Sequence, residues 1–415
     1  MDVFESLESE VRSYCRGWPA VFHRASGSHL YDEEGHRFLD FFAGAGTLNY
    51  GHNHPELKQK LLDYLADDNI VHSLDMHTVA KRSFLETFQE VILAPRGLDY
   101  RIQFPGPAGA ASVEAALKLA RKYTGRETVI SFTNAFHGMS LGALAVTGNS
   151  MKRSGAGVPL GHTVPMPFDN YLDGRTPDFL LFERLLDDSG SGLDTPAAVI
   201  VETVQGEGGL NAASPEWLRG LADLCERHDM LLIVDDVQMG CGRTGPFFSF
   251  ETAGIVPDIV CLSKSLSGYG LPFALTLLKP ELDVWEPGEH NGTFRGPNPA
   301  FVTATAAMDF WDGEGLEKQT LTKGEQIEDA LGRIAATYPE SITGVRGRGL
   351  AQGLAFADAE AAPAVCAQAF DRRLLLETSG PEDEVVKLLP PLTTSPDELA
   401  EGLDIIAASV EAVVA

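Results

Sequence analysis

Five short stretches of this chain carry residue types that could do chemistry together. Lys264 follows the apolar run 259–262, and the adjacent carboxylates Asp235 and Asp236 follow the run 231–234. Glu202 opens the stretch 202–209 after the run 198–201, and Phe136 and His137 close the cluster 133–137 after the run 128–132. A lysine amine condenses with a carbonyl and, with a depressed pKa, moves protons as a base. A carboxylate holds a proton or faces a cationic ring, and a flat aromatic offers a stacking face. The Gly-rich turn from Gly106 to Ser112 leads into a helical pattern starting at Val113, an arrangement whose backbone N–H groups bind phosphate.

The elements that must position these groups read clearly between about residues 100 and 280. Short β-branched runs alternate there with helical patterns at 113–123 and 216–228, the mark of a mainly parallel sheet covered by helices on both faces. All carboxyl ends of a parallel sheet lie along one edge, so the polar clusters converge on one crevice, where open α/β sheets bind ligands. The pattern changes after about residue 310 to a long helix at 318–337, a Gly-rich strand region at 345–356 and a closing helix at 396–414. The expected fold class is therefore α/β. A large domain, residues 51–309, holds a mainly parallel mixed sheet sandwiched by helices; a smaller α+β domain covers 310–415, and an N-terminal segment, 1–50, packs with it. The stretch 155–177, rich in Gly, Pro and Asp, reads as a loop.

Composition narrows the function. With 32 basic and 59 acidic residues the chain carries a formal charge of −27, which opposes binding to nucleic acid or to an anionic membrane. Hydrophobic residues make up 44% and charged residues 22%, ordinary values for a globular protein in 415 residues. No apolar run is long enough to span a membrane, the first twenty residues lack a secretory pattern, and five scattered cysteines form no CxxC pair. A cytoplasmic protein without disulfides is expected. His52-Asn53-His54 resembles a metal-ligand pair but has no third ligand, so no metal is expected. No complete GxGxxG lies between a strand and a helix, which leaves a nicotinamide site unsupported.

A flat, phosphorylated cofactor with a cationic ring satisfies the whole crevice, and pyridoxal 5'-phosphate is that cofactor. Its aldehyde needs Lys264, its ring nitrogen needs Asp235 or Asp236, and its phosphate needs the helix N-terminus around Gly109. The run from Val234 to Gly245 (VDDVQMGCGRTG), with Pro257-Asp258-Ile259 and Ser263-Lys264, resembles the signature of class III aminotransferases of fold type I. Residues 202–209, Phe136-His137-Gly138 and Gly292-Thr293-Phe294-Arg295-Gly296 match that family in the same order, so the likeness covers roughly residues 20 to 410.

The resemblance implies a role for each matching residue. Lys264 and Asp235 are the catalytic pair, the amine that bonds the cofactor and the partner of its ring nitrogen. Gly109 and Ala110 hold the phosphate, Phe136 stacks on the ring with His137 beside it, Gln238 bonds the phenolic oxygen, and Glu202 is a supporting acid. Thr293 reaches the phosphate bound by a neighbouring subunit, which implies a homodimer or a dimer of dimers with shared active sites. Glu207 is a gating carboxylate at the substrate site, and Lys387 stands where ornithine-type relatives place a carboxylate-binding arginine. Stretches such as 41–55, 166–171 and 388–392 resemble the branch that moves the amino group of L-glutamate to an amino-aldehyde, aspartate 4-semialdehyde, releasing 2-oxoglutarate, in ectoine synthesis. Acceptors derived from ornithine, acetylornithine or 4-aminobutyrate, or in specialised amine metabolism, remain alternatives, as do a racemase or aminomutase reaction and a catalytically idle binding relative.

Two positions depart from the family pattern. The phosphate turn reads Ala108-Gly109-Ala110-Ala111-Ser112, without the usual hydroxyl beside the glycine, so either Ser112 or Thr293 is left to supply one. Lys387 offers a point charge where an arginine would offer a planar fork.

Overall fold

The four apolar runs become adjacent strands of one seven-stranded sheet. The computed structural model describes residues 3–172 and 179–415. In chain order the strands are β1 Arg101–Gln103, β2 Val129–Phe132, β3 Thr163–Met166, β4 Ala198–Val201, β5 Leu231–Asp235, β6 Ile259–Leu262 and β7 Leu275–Leu278. They are arranged β1-β7-β6-β5-β4-β2-β3. Pairing is parallel from β6 through to β3, and β7 runs antiparallel between β6 and β1. Every residue of β2, β4 and β6 is buried, as expected of strands covered on both faces by helices.

Two covering helices show why the sequence forms them where it does. The helix Gly109–Thr124 buries Val113, Ala116, Leu117 and Ala120 at helical spacing and stops at Gly125 in the left-handed conformation. The helix Pro215–Arg227 starts at Ser214, whose hydroxyl accepts the Trp217 N–H, with proline at its first position. It buries Trp217, Leu218, Leu221 and Leu224.

The stretch read as a loop at 155–177 is corrected in part. It contains β3, an edge strand in register with β2 from Val129↔Thr163 to Phe132↔Met166. A proline within Thr163–Met166 weakens the strand signal, but an edge strand tolerates a missing N–H. Residues 173–177 of that stretch lie outside the described residues.

The Gly-rich region near 345–356 is a hairpin, Ile342–Arg348 with Ala351–Phe356, in an antiparallel four-stranded sheet completed by Val385–Leu388 and Glu377–Ser379. Near the N-terminus, Phe22–Ser26, His29–Asp32 and Arg37–Asp40 form a meander, and Leu374–Leu375 pairs in parallel with the last of these strands. Arg243 joins these parts. Fully buried, it donates to the Leu350 carbonyl at 3.1 Å and to the Pro390 carbonyl and the Asn49 Oδ1. Among the described residues no helix is long and apolar enough to cross a membrane, and no three His, Cys, Asp or Glu side chains gather as a metal site.

Candidate active site

The carboxyl ends of β2, β4, β5 and β6 open on one cavity. Its lining includes Phe136, Glu202, Asp235, Gln238 and Lys264, with Gly109 and Ala110 closing one side. Residues far apart in the chain meet there because their four strands run parallel, which puts every strand's end on the same edge.

Lys264 begins the 3₁₀ turn Lys264–Ser267 with φ at +45°, a left-handed conformation that a side-chain-bearing residue keeps only when its surroundings impose it. Those surroundings are specific. The Ser263 hydroxyl donates to the Phe273 carbonyl at 2.7 Å, and the Ser265 hydroxyl donates to the Gly46 carbonyl at 2.7 Å. Among the described residues the Lys264 ammonium makes no hydrogen bond. Burial lowers its pKa below the usual lysine range, with Glu207 pulling the other way.

Asp235 ends β5, and its Oδ2 lies 2.7 Å from the His137 Nδ1. Burial opposes a charged imidazole at His137, but the bond and charge of Asp235 outweigh it and raise the pKa. The His137 Nε2 is buried without a partner among the described residues. Asp236 turns away, accepting from the Ser249 hydroxyl and, at 3.0 Å, from the Ser249 N–H. Glu202 accepts the N–H groups of Phe136 at 2.9 Å and Gly206 at 3.3 Å, and burial, partly opposed by His137, pushes it up to about 7. Phe136 has the Lys152 ammonium 4.4 Å from its ring centre.

The phosphate end of the crevice depends on backbone rather than side chains. The helix Gly109–Thr124 has no side-chain cap, and the N–H groups of Gly109 and Ala110 find no acceptor among the described residues. A Cβ on Gly109 would stand 2.7 Å from Val237 Cγ1, and one on Gly138 would stand 2.7 Å from the Ala110 Cβ. Ser112 is committed elsewhere, to the Leu275 carbonyl and the Thr276 hydroxyl at 2.8 Å each. Thr293 is exposed and outside the cavity lining, with its carbonyl 2.8 Å from the His72 Nε2.

Gln238 donates to the Ala45 carbonyl at 3.0 Å and to Glu207 Oε1 at 3.1 Å, and its own Oε1 is buried without a partner among the described residues. Glu207 also meets the Lys387 ammonium at 2.9 Å. Burial works against its charge, but Lys387 and then Lys264 hold it down to about 2. Lys387 is fully buried, and burial is overcome by Glu207 and by a second acid, Glu377, so that its pKa is raised. Glu377 Oε1 lies 2.9 Å from the Lys387 Nζ but off hydrogen-bond geometry, so the contact is an ion pair.

Sequence reasoning missed Glu377. It also missed Tyr14, whose ring centre lies 5.0 Å from that of Phe42 and whose phenol Glu377 and Glu207 help burial to push up to about 12. A signal existed for Glu377: Gly380-Pro381 and the acids after it mark a tight connection, and strands on either side of it bring 377 opposite 387. Tyr14 had no such signal, because only the tertiary path of the first residues brings it near.

The donor set fits a flat phosphorylated aldehyde such as pyridoxal phosphate. A partner-free amine at Lys264, a carboxylate oriented by His137, free helix N–H groups and two glycines that admit no Cβ leave room and polar atoms for such a group.

Residues 14–410 match the family described as Aminotransferase class-III. The chain is 66% identical over 412 residues to a diaminobutyrate–2-oxoglutarate transaminase of Streptomyces avermitilis, covering 99% of this chain and 97% of that protein. It is 69% identical over 411 residues to a protein of the same name from Streptomyces anulatus, with 99% and 97% covered. Among solved structures, an ornithine aminotransferase from Toxoplasma gondii is similar at a TM-score of 0.85 and 26% identity, covering 99% of this chain and 93% of that one. That structure was described with partial occupancy of PLP at its active site.

Proposed function

The chain belongs to the class-III aminotransferases, pyridoxal-phosphate enzymes, and from that premise we propose that it moves the amino group of L-glutamate to aspartate 4-semialdehyde. The products are 2-oxoglutarate and L-2,4-diaminobutyrate. The observation that carries the catalytic part is Lys264, a buried amine with no hydrogen-bond partner among the described residues, across one cavity from an Asp235 held by His137. The names of the two Streptomyces relatives support the choice of acceptor.

When bound, pyridoxal phosphate supplies an aldehyde that takes up the amino group and a cationic ring that draws electrons from the carbon losing its proton. Gly109 and Ala110 would hold the phosphate through their N–H groups, and Phe136 would offer its ring as a stacking face. Asp235, oriented by the His137 bond, keeps the proton on the ring nitrogen. Gln238 would donate to the phenolic oxygen, and Glu202 fixes the backbone at Phe136 and Gly206. Lys264, with its lowered pKa, takes and returns the proton at the carbon that exchanges its nitrogen. Glu207 holds Lys387 until a substrate carboxylate takes its place.

The same reading places the enzyme in the cytoplasm and in ectoine synthesis, as a homodimer or dimer of dimers in which Thr293 serves the neighbouring site. It divides the chain at residues 50 and 309 into an N-terminal segment, a large cofactor domain and a small domain. The test is an assay of purified enzyme with L-glutamate and aspartate 4-semialdehyde. Stoichiometric 2-oxoglutarate is expected, lost in Lys264→Ala. Faster turnover of ornithine-derived or succinic semialdehyde would overturn the acceptor, and full activity in Lys264→Ala would overturn the mechanism.

A further inference from the structure

Among the described residues Lys387 has two carboxylate partners, of which Glu207 borders the cavity and Glu377 does not. Glu207 lines the cavity beside Lys264, whereas Glu377 sits behind it on the neighbouring strand, in register with Lys387. We infer that Glu377 is a specificity-determining residue: it is the fixed counter-ion of Lys387, so that Glu207 alone is exchanged for a substrate carboxylate, and its charge sets how strongly dicarboxylates bind. This rests on the reading of Glu207 and Lys387 given above.

The chemistry follows from counting charges. A single ammonium between two carboxylates leaves one negative charge in excess. When the α-carboxylate of glutamate displaces Glu207 from the ammonium, an ionised Glu377 still neutralises Lys387, and the incoming carboxylate meets little net attraction. With Glu377 protonated, Lys387 presents its full charge. A diamino substrate reacting through a carbon without a carboxylate leaves Glu207 in place and does not sense the difference.

Burial is what favours a proton on Glu377. It is 8% exposed, and its Oε1, which accepts no hydrogen bond among the described residues, faces the Lys387 ammonium at 2.9 Å. The groups facing it are Lys387 on the adjacent strand, Glu207 and Lys264 at the cavity, Tyr14 of the N-terminal segment and Cys366 of the helix Ala361–Asp371. Burial, opposed by Lys387 and reinforced by Glu207, pushes Glu377 up to about 7. The sign is then set: below that pH the acid is neutral and dicarboxylates bind tightly, and above it they bind weakly.

The experiment uses the holoenzyme and glutarate, a dicarboxylate with no amine to transfer, with binding followed by calorimetry. In the wild type the Kd for glutarate should rise about tenfold between about pH 6 and pH 8, the size of a one-charge change in a partly screened pair. In Glu377→Gln the Kd should stay low and flat across that range. The KM for glutamate at about pH 8 should fall several-fold while that for diaminobutyrate changes less than about twofold. A merely structural role predicts equal changes for both substrates and an unaltered pH dependence, and that result overturns the inference. If Glu377→Gln does not fold, a flat glutarate Kd in the wild type still overturns it. An enzyme without glutamate-dependent transamination would instead sink the parent reading.

Discussion

Asp235 meets the His137 imidazole at 2.7 Å while Asp236, the next residue, bonds Ser249. Adjacent side chains at the end of a strand point to opposite faces, so one carboxylate enters the cavity and the other the interior. Their roles separate accordingly. Replacing Asp235 by Asn keeps a side chain of the same shape but removes the charge, and kcat should fall roughly 10²- to 10³-fold, as when a preorganised electrostatic group is lost, with the fold retained by circular dichroism. Burial pushes Asp236 up to about 7, above its unfolded value, so the folded protein binds its proton more tightly. The contribution of Asp236 is then most favourable below the ordinary carboxylate range and is lost as pH rises through about 7. In Asp236→Asn that part of the pH dependence should vanish. Urea midpoints of wild type and variant should converge at low pH and differ in favour of the variant near pH 8.

At the scale of elements, the helix Gly109–Thr124 combines two tasks, packing its apolar face on the sheet and offering free N–H groups at its start. The approach of Val237 to Gly109 leaves no space for a methyl group, since a Cβ would lie 2.7 Å from Val237 Cγ1. Gly109→Ala should therefore raise the Kd for pyridoxal phosphate by about tenfold or more, the equivalent of the roughly 1 to 3 kcal/mol that overpacking costs. Fluorescence titration of the apoenzyme measures it, and unchanged affinity would show that the phosphate is held elsewhere. The hairpin-like pair Glu377–Ser379 and Val385–Leu388 works similarly for charge, because cross-strand register sets Glu377 beside Lys387.

For the whole molecule, Arg243 is the joint. Its guanidinium is fully buried and reaches Asn49, Leu350 and Pro390, which lie far apart in the chain. Arg243→Met keeps volume but strands three acceptors, each worth about 1 to 3 kcal/mol when buried without a donor. The expected result is a loss of several kcal/mol in denaturant unfolding. A variant as stable as wild type would mean that water or backbone shifts replace the guanidinium. The arginine lay in the recognised run from Val234 to Gly245, yet nothing in that run told a structural arginine from a ligand-binding one.

What could be read from the chain alone was local or periodic. Apolar runs ending in polar clusters gave away β2, β4, β5 and β6 and the edge where Lys264, Asp235, Glu202 and Phe136 meet, because side-chain period and parallel connection follow from backbone geometry. Strand β3 was hidden by its proline and by a Gly-rich neighbourhood. Which oxygen pairs with which ammonium was beyond that reach. The pairing of Glu207 with Lys387, the commitment of Ser112 to β7 and the nearness of Tyr14 depend on how separate elements pack, and such contacts act over a few ångströms between residues more than a hundred positions apart.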